Sequence, residues 1–368
     1  MKILVLTGTR ADFGKIKEVI VKLNALSHIE LSIFVTGMHM LKLYGNTHKE
    51  IDKLGVKQVY KYINQNETSN MSEVLSSSIL GLSNYIQENN QDLVIVHGDR
   101  IEALAGSIVG SLENIHVLHL EGGERSGTID ESIRHAITKF SHLHFVVNSD
   151  AEKRLRQLGE TNIYKVGSSN IDIMLSTKLP TLNEVKNHYA IDFDSYAILI
   201  FHPVTTENNI KDQINEVLNA CKISSYNFVV IMPNNDKGSN HIVEQYLALD
   251  SQFRLLPSMR FEYYLTLLKN AKMIVGNSSS GIHEAPVYGV PTINIGSRQK
   301  NRANFESILN CKANAKDILK QMRVAKMKGH FNKNYTNGDG NSAKKIVDII
   351  KDLELANISI QKTFKDIE

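Results

Sequence analysis

The sequence contains no apolar run long enough to cross a membrane. A membrane-spanning helix needs about 20 consecutive apolar residues. The apolar run within the first residues, MKILVLTGTR, has the length of a buried β-strand and is too short for the core of a signal peptide. We therefore expect a soluble cytoplasmic protein that makes no membrane contact.

The sequence also has little net charge and few cysteines. Its 42 lysines and arginines against 39 aspartates and glutamates give a net charge of +3, and no basic run stands out. This balance argues against nucleic acid or an anionic membrane as the partner. The two cysteines, Cys221 and Cys311, form no CxxC motif, so we expect reduced, structural thiols rather than a disulfide framework.

Proline is absent before Pro180, and all six prolines lie from there onward. A chain of 368 residues exceeds what one hydrophobic core usually organises. Both parts alternate strand-like and helix-like segments, which predicts an α/β protein of two domains with a ligand cleft between them. We expect the first domain at 1–179, the second at 180–353, and a C-terminal helix at 354–368 that packs back on the first domain.

The GxGxxG and GxxxxGK[ST] fingerprints of nucleotide-binding proteins are both missing after the first predicted strand. That strand, Lys2–Gly8, ends in TGTRADFGK and passes into an amphipathic helix predicted over Ile16–Leu23. A glycine-containing turn at this place favours phosphate, because unpaired amides and the helix dipole attract anions. Arg10 would add a bidentate donor. An ordinary strand-to-helix turn is the alternative.

Ionisable residues are crowded between His97 and His135. The motif HGDR follows one predicted strand and Glu121 follows the next, with a helical pattern between them. In an open parallel sheet the carboxyl ends of the strands line the ligand crevice, so Asp99, Arg100 and Glu121 should face one cavity. The sequence therefore predicts three charges in one small space.

A helix start follows this pair of strands, at TIDESIRH. Thr128 and Glu131 fit a capping box, which favours a helix cap over a catalyst for Glu131. Asp130 and Arg134 are four residues apart and share one side of the helix, at the margin of its apolar stripe. An ordinary surface ion pair is the alternative. The nearby carboxylates, including Glu124, favour a functional site instead.

The second predicted domain carries its own polar cluster at strand ends. His202 closes one strand in HPVTTE, and NSSSG follows another strand and opens a short helix with Glu284 in its first turn. Serine hydroxyls and helix-end amides suit a diphosphate, and a carboxylate can accept both hydroxyls of a ribose. A serine-rich N-cap and a satisfied core histidine are the alternatives.

Two pairs of closely spaced histidines do not predict a metal site. His116 with His119 and His142 with His144 lie on predicted strands. On a strand, the two-residue spacing of His142 and His144 merely places both rings on one face, and no further ligand type recurs near either pair. We therefore expect no metal.

The assembled motifs resemble those of the UDP-N-acetylglucosamine 2-epimerases, in particular the hydrolysing branch that supplies N-acetylmannosamine for sialic acid synthesis. Over nearly the whole chain, the motifs that stand in family order are TGTRADFGK, VTGMHM, HGDRIEALA, EGGERSGTIDESIRH, FHPVTTE, GNSSSGIHEAP and GSRQ. The resemblance implies two Rossmann-like doubly wound domains of the glycosyltransferase B type, with the active site in the inter-domain cleft. It also implies UDP binding mainly by the second domain and no cofactor.

The same resemblance implies roles for individual residues. Those matching catalytic positions are Asp99, Glu121, Asp130, Glu131, Arg134 and His202. Those matching nucleotide-binding positions are Arg10, Arg100, Asn234, Met259, Ser278, Ser279, Glu284 and Arg298. The expected partners are UDP-N-acetylglucosamine and UDP, and the expected assembly is a homodimer or homotetramer. Three alternatives stay open: a hydrolysing epimerase of a UDP-2,4-diacetamido sugar, a UDP-sugar glycosyltransferase, and a nucleotide-sugar sensor.

Overall fold

A computed structural model describes residues 1–42, 45–66, 68–126, 129–176, 178–204, 207, 209–233, 238–300 and 305–366. The chain divides into two compact units. The first comprises Met1–Asp172 together with the chain from Thr336 onward, and the second comprises Ile173–Tyr335. Each unit is built on a parallel sheet with helices, which confirms the predicted α/β class.

The first unit is organised around a parallel sheet with seven strands in the described part of the chain. These are β1 (Lys2–Thr7), β2 (Glu30–Val35), β3 (Gln58–Lys61), β4 (Leu93–His97), β5 (His116–Leu120), β6 (Leu143–Val146) and β7 (Ile163–Lys165). Their order in the sheet is β3-β2-β1-β4-β5-β6-β7. The order reverses between β1 and β4, and α/β folds place their ligands at the carboxyl ends of the strands beside such a switch point.

Helices cover both faces of this sheet. They are α1 (Arg10–Asn24), α2 (His48–Asp52), α3 (Met71–Glu88), α4 (Ile101–Leu112), α5 (Ile129–Phe140), α6 (Ser149–Gln157) and, near the C-terminus, α15 (Ser342–Lys351). Helix α7 (Ser169–Met174) begins in this unit and ends just beyond its limit at Asp172. Alternate residues of β1 enter different cores: Ile3 and Val5 pack with α1 and α15, whereas Leu4 and Leu6 pack with α3, α4 and α5. Burial of both faces explains why the central strands β1 and β4 are nearly continuous apolar runs in the sequence.

The second unit repeats this architecture with six strands among its described residues. They are β8 (Tyr196–Ile200), β9 (Asn227–Ile231), β10 (Phe253–Leu256), β11 (Ile274–Gly276), β12 (Thr292–Ile295) and β13 (Ile308–Cys311), in the order β10-β9-β8-β11-β12-β13. The helices are α8 (Leu182–Tyr189), α9 (Ile210–Ile223), α10 (Ser239–Leu247), α11 (Phe261–Asn270), α12 (Ser280–His283), α13 (Ala285–Tyr288) and α14 (Ala315–Lys328). Both sheets therefore have the doubly wound order of a Rossmann-like fold.

The prediction of a C-terminal helix at 354–368 is wrong. Up to residue 366, this segment contains only the 3-10 turn Leu355–Asn357. The helix that returns to the first unit is α15, because its stripe of Ala343, Ile346 and Ile350 joins the core beside α1. The second unit, Ile173–Tyr335, also begins and ends earlier than the predicted limits of 180 and 353.

Two further elements differ from the sequence expectations. Helix α1 begins at Arg10 rather than Ile16, because Thr9 and Asp12 form a capping box that starts the helix directly after the strand. Strand β13 is not among the strands predicted from the sequence, and it pairs with β12 along its whole length. In the described ranges, no helix is both long and apolar enough to cross a bilayer.

Candidate active site

Glu121 is the centre of a charged cluster in the first unit. It follows β5 directly and has a left-handed backbone with φ of +62°, and its amide donates to the Phe145 carbonyl at 2.9 Å. The carboxylate accepts hydrogen bonds from Lys15 Nζ at 2.9 Å and Ser168 Oγ at 2.6 Å, and His97 Nε2 lies 3.2 Å away. This backbone conformation is uncommon for a residue other than glycine and concentrates at functional sites.

The pKa of the Glu121 carboxyl lies well below its ordinary value. Burial by itself would raise this pKa, but the charges of Lys15 and His97 and the hydrogen bonds to the carboxylate outweigh burial. Glu121 is therefore ionised at neutral pH. It places a fixed negative charge at the carboxyl edge of the sheet.

Asp99 and Arg134 form an ion pair at the same edge. Asp99 follows β4, and Arg134 lies in the second turn of α5 with only 9% of its side chain exposed. Arg134 also donates to the Glu124 carbonyl at 2.8 Å and to the Ser126 hydroxyl at 3.4 Å. Its guanidinium therefore joins three segments: the start of α5, the loop after β5 and the end of β4.

Glu124 places a second carboxyl in the loop after β5. Burial and the negative charge of Glu121 raise the pKa of Glu124 above its ordinary value, although Arg154 and Arg134 oppose this shift. Asn148 Nδ2 donates to Glu124 Oε1 at 3.3 Å. Carboxyls whose pKa values are pushed in opposite directions are typical of acid–base sites.

Asp130 and Glu131 both lie in the first turn of α5. The Glu131 carboxylate accepts a hydrogen bond from the Ser126 amide at 3.0 Å, and it lies 3.8 Å from His135 Nε2. Glu131 therefore anchors the loop before α5, as a cap does. Thr128, its predicted capping partner, lies outside the described residues. Catalytic roles for Asp130 and Glu131 stay predictions.

The turn after β1 is a helix cap. The Asp12 carboxylate accepts hydrogen bonds from the amides of Gly8 and Thr9, each at 3.0 Å. The prediction that unpaired amides here bind phosphate is wrong for these two residues, because Asp12 already satisfies them. Arg10 pairs with Glu50 at 3.0 Å, with both side chains about half exposed. A nucleotide-binding role for Arg10 stays a prediction.

Arg100 lies just before α4, and its side chain contacts Glu102 in the first turn of that helix. Its Nε donates to Glu102 Oε2 at 3.3 Å, and Glu102 is buried. A Cβ atom at Gly8 would stand 2.9 Å from Glu102 Cδ, so glycine there lets the carboxylate pack against the turn after β1. The nucleotide-binding role of Arg100 stays a prediction.

The histidines that lie on strands bond to protein groups. His119 Nε2 lies 2.8 Å from the Gly98 carbonyl, and His144 Nε2 lies 3.1 Å from Glu160 Oε2. Burial lowers the pKa of His119 to about 3, so this ring is neutral at physiological pH. Within the described part of the chain, no three His, Cys, Asp or Glu side chains are grouped to hold a metal ion.

Asn277 organises the carboxyl edge of the sheet in the second unit. This residue follows β11, accepts a hydrogen bond from the His202 amide at 2.7 Å and donates to the His202 carbonyl at 2.9 Å. Its own carbonyl accepts from Arg298 Nη1 at 3.2 Å and from Gln299 Nε2 at 2.9 Å. Asn277 thus brings two of the predicted residues, His202 and Arg298, to the same edge.

Glu284 lies at the junction of α12 and α13. Its predicted place in the first turn of a single helix is wrong, because Pro286 starts a new helix after only four residues of α12. Burial and the negative charge of Glu284 raise the pKa values of Tyr264 and Tyr288, so the carboxylate lies near both phenols.

The other predicted nucleotide-binding residues are distributed around these helices. Ser279 is the residue that precedes α12, and the Ser278 hydroxyl accepts from the Ser280 amide at 3.3 Å. Met259 is half-buried between β10 and α11. Asn234 lies outside the described residues.

Lys15 and Ser168 both contact Glu121, and neither is among the site residues predicted from the sequence. Ser168 comes three residues after β7, so the rule that strand ends line a crevice could have identified it. Lys15 faces Glu121 from the second turn of α1. The helix predicted from the sequence begins at Ile16, and this prediction leaves Lys15 in the preceding turn.

A family model described as UDP-N-acetylglucosamine 2-epimerase matches residues 21–351. A UDP-N-acetylglucosamine 2-epimerase of Neisseria meningitidis serogroup B is 43% identical over 373 residues, which cover 100% of this chain and 99% of that protein. A hydrolysing UDP-N,N'-diacetylbacillosamine 2-epimerase of Legionella pneumophila is 34% identical, with 98% of each chain covered.

One solved structure shows the same fold. It is a UDP-N-acetylglucosamine 2-epimerase from Neisseria meningitidis bound to UDP-N-acetylglucosamine, with a TM-score of 0.80 and 19% identity. The match covers 96% of this chain and 100% of that chain. The glycosyltransferase B type of fold predicted from the sequence is thereby confirmed.

Proposed function

The chain belongs to the UDP-N-acetylglucosamine 2-epimerase family, and on this basis we propose that it is a hydrolysing epimerase. It converts UDP-N-acetylglucosamine and water to N-acetylmannosamine and UDP, the first step toward a sialic acid. The observation that carries the proposal is the cluster at the carboxyl edge of the first sheet, where Glu121 is held ionised beside the Asp99–Arg134 pair.

The chemistry of the sugar explains why several carboxylates are needed. Carbon 2 bears no carbonyl, so its proton is barely acidic. As the bond between carbon 1 and the UDP oxygen breaks, positive charge at carbon 1 acidifies that proton, and a carboxylate removes it. The electrons of the C2–H bond form the double bond of 2-acetamidoglucal, and UDP leaves with the electrons of the C1–O bond.

Hydration completes the reaction. Water adds its oxygen to carbon 1 and gives a proton to a carboxylate base, while an acid delivers a proton to carbon 2 from the opposite face. We assign the transfers at carbon 2 to Asp99 and Asp130, with Glu121 as a further acid–base or water-positioning group. Each such role is worth roughly 100- to 10,000-fold in rate. Glu131, Arg134 and His202 complete the proposed catalytic set.

The nucleotide is assigned to the second unit. Ser278, Ser279 and Arg298 lie at the carboxyl edge of its sheet, where fixed donors stabilise a departing diphosphate. His202 lies at the same edge, and Glu284 would accept hydrogen bonds from the ribose hydroxyls. Arg10, Arg100, Asn234 and Met259 are retained as further nucleotide contacts, and the assembly is proposed to be a homodimer or homotetramer.

Replacing Glu284 by alanine should weaken UDP binding by about tenfold or more, because a charge-assisted bond to the ribose is worth roughly 1.5–3 kcal/mol. Isothermal titration calorimetry with UDP measures the change. The matched control is Glu244→Ala, an exposed position on α10. Equal UDP affinities for Glu284→Ala and the wild type would contradict the ribose assignment.

Proton NMR of the reaction in deuterated water tests the proposed function. Incubation with UDP-N-acetylglucosamine alone should release UDP and free N-acetylmannosamine in equal amounts, with deuterium at carbon 2, because solvent supplies the proton in the hydration step. UDP-N-acetylmannosamine with its nucleotide intact would show a non-hydrolysing epimerase instead. Binding without turnover would identify a sensor, and a requirement for an acceptor would identify a glycosyltransferase.

The Legionella relative gives a reason to test a second substrate. A UDP-2,4-diacetamido-6-deoxy sugar differs from UDP-N-acetylglucosamine at carbons 4 and 6, away from the bonds that react. A kcat/KM at least about tenfold higher for this sugar would move the assignment to the diacetamido series.

A further inference from the structure

The C-terminal tail of the first unit contacts the end of the helix that carries the predicted catalytic residues. Lys362 Nζ donates to the Ser141 carbonyl at 2.6 Å and to the Thr138 carbonyl at 3.2 Å. Thr138 lies in the last turn of α5, and Ser141 follows the helix. The Thr138 carbonyl also accepts a hydrogen bond from the Ser141 amide at 3.1 Å, so Lys362 adds a second donor there. A cation at this position interacts favourably with the C-terminal end of the helix dipole.

Glu160 fixes the Lys362 ammonium group in place. Its carboxylate binds Lys362 through Oε2, Lys139 Nζ through Oε1 at 2.7 Å, and His144 Nε2 at 3.1 Å. Only 2% of the Glu160 side chain is exposed. Lys139 belongs to the last turn of α5, so one buried carboxylate binds both the helix and the tail.

Two histidines fix the path of the tail before Lys362. His116 Nε2 lies 2.9 Å from the Ile358 carbonyl, and His142 Nε2 lies 2.9 Å from the Ile360 carbonyl. His142 Nδ1 accepts from the Val117 amide at 3.0 Å, so its Nε2 carries the proton and donates to the tail. The tail is thus held at alternate residues before Lys362 reaches the end of α5.

The opposite end of α5 belongs to the candidate site. The helix has 12 residues, a length of about 18 Å at 1.5 Å per residue. Asp130 and Glu131 are in its first turn and Arg134 in its second, where Arg134 pairs with Asp99. A helix moves largely as a rigid body, so a shift at its C-terminal end changes the position of these side chains.

We propose that Lys362 is a positioning residue for the epimerase reaction. Through Glu160 and the carbonyls of Thr138 and Ser141 at the end of α5, it fixes the axial position of the helix that carries Asp130 and Arg134. This role rests on the proposed function, since the geometry of the carboxylates matters only if they transfer protons. Lys362 itself does not contact substrate. A displacement of the order of 1 Å at reacting groups lowers rates by up to about 100-fold.

The test compares Lys362→Met, Lys362→Arg and Lys365→Met in the full-length protein. Methionine keeps the apolar stem of Lys362 but removes its charge and donors. Lys365 is an exposed lysine of the same tail and serves as the matched control. Hydrogen exchange of the Ile129–Phe140 amides and steady-state kinetics with UDP-N-acetylglucosamine are measured for each protein.

Lys362→Met should accelerate exchange in α5 by about tenfold and lower kcat by about five- to tenfold with KM changed by less than about twofold. Lys362→Arg should restore most of the protection of the α5 amides and most of kcat. Lys365→Met should match the wild type in both measurements. Unchanged α5 exchange, an unchanged kcat despite faster exchange, or an equal effect of Lys365→Met would overturn the proposal. If the wild type itself does not turn over the sugar, the proposed function fails, whereas the exchange data still decide whether Lys362 holds α5.

Discussion

The Asp99→Asn variant is expected to lose at least about 100-fold in turnover while it still binds UDP. Asparagine keeps the shape of the side chain but can neither accept nor deliver the proton that the proposed reaction transfers at carbon 2. Asp130→Asn should show a loss of similar size. Release of UDP from UDP-N-acetylglucosamine measures turnover, and calorimetry measures UDP binding.

A matched control separates catalysis from folding for Asp99. Asp92 precedes β4, whereas Asp99 follows that strand, and Asp92 is exposed. Asp92→Asn makes the same chemical change at the opposite end of β4 and should keep normal turnover. Asp99→Asn also breaks the pair with Arg134, so thermal unfolding of both variants must be compared. Near-normal turnover in both Asp99→Asn and Asp130→Asn would remove these residues from the mechanism.

Glu121→Gln is expected to lower kcat by about 100-fold or more, because glutamine cannot carry the charge that Lys15 and His97 stabilise. The Ser168 hydroxyl can still donate to the amide oxygen, so the local fold should survive. Glu113→Gln is the matched control, at an exposed position before β5. A variant with wild-type kcat would show that the fixed charge at this edge has no part in turnover.

The pH dependence of a Lys15→Met variant tests how the charge of Glu121 is controlled. Lys15 lowers the pKa of Glu121, so its removal raises that pKa. The ionised form exists above the pKa and is lost as pH falls through it, so the acidic limb of the kcat/KM profile should move to higher pH. Lys22→Met, at a partly exposed position on the same helix, should leave the profile in place. A profile identical to that of the wild type would show that Glu121 does not limit the rate at low pH.

Most of the fold could be predicted because its central strands are buried on both faces. In β4, the residues Leu93–Val96 are all apolar and are followed by His97, Gly98 and Asp99, so the type and limits of this strand are visible in the sequence. The exceptions have local causes. Strand β13 includes the polar Asn310 and is not among the predicted strands, and α1 begins early because the Thr9–Asp12 capping box starts the helix directly after β1.

The tail after α15 could not be predicted in the same way. Its polar residues show neither helical nor strand periodicity, and it stays irregular except for one 3-10 turn. Its contacts are made by Lys362 and by the carbonyls of Ile358 and Ile360, with partners more than 200 residues away in sequence. Every residue has a backbone carbonyl, so the sequence does not show which carbonyl accepts a hydrogen bond. These contacts are visible only in the three-dimensional structure.

The sequence by itself determined the two α/β units, the strands that are followed by charged residues, and the set of acidic residues at 99, 121, 124 and 130. Those features follow from local composition and from the rule that parallel strands share one carboxyl edge. Only the tertiary structure decided that Arg134 pairs with Asp99, that Lys15, His97 and Ser168 surround Glu121, and that Lys362 contacts the end of α5. The reason is physical. The partner of a side chain, and the pKa of its ionisable group, depend on residues that folding brings close to it. The distance between two side chains in the folded protein cannot be inferred from their separation in the sequence.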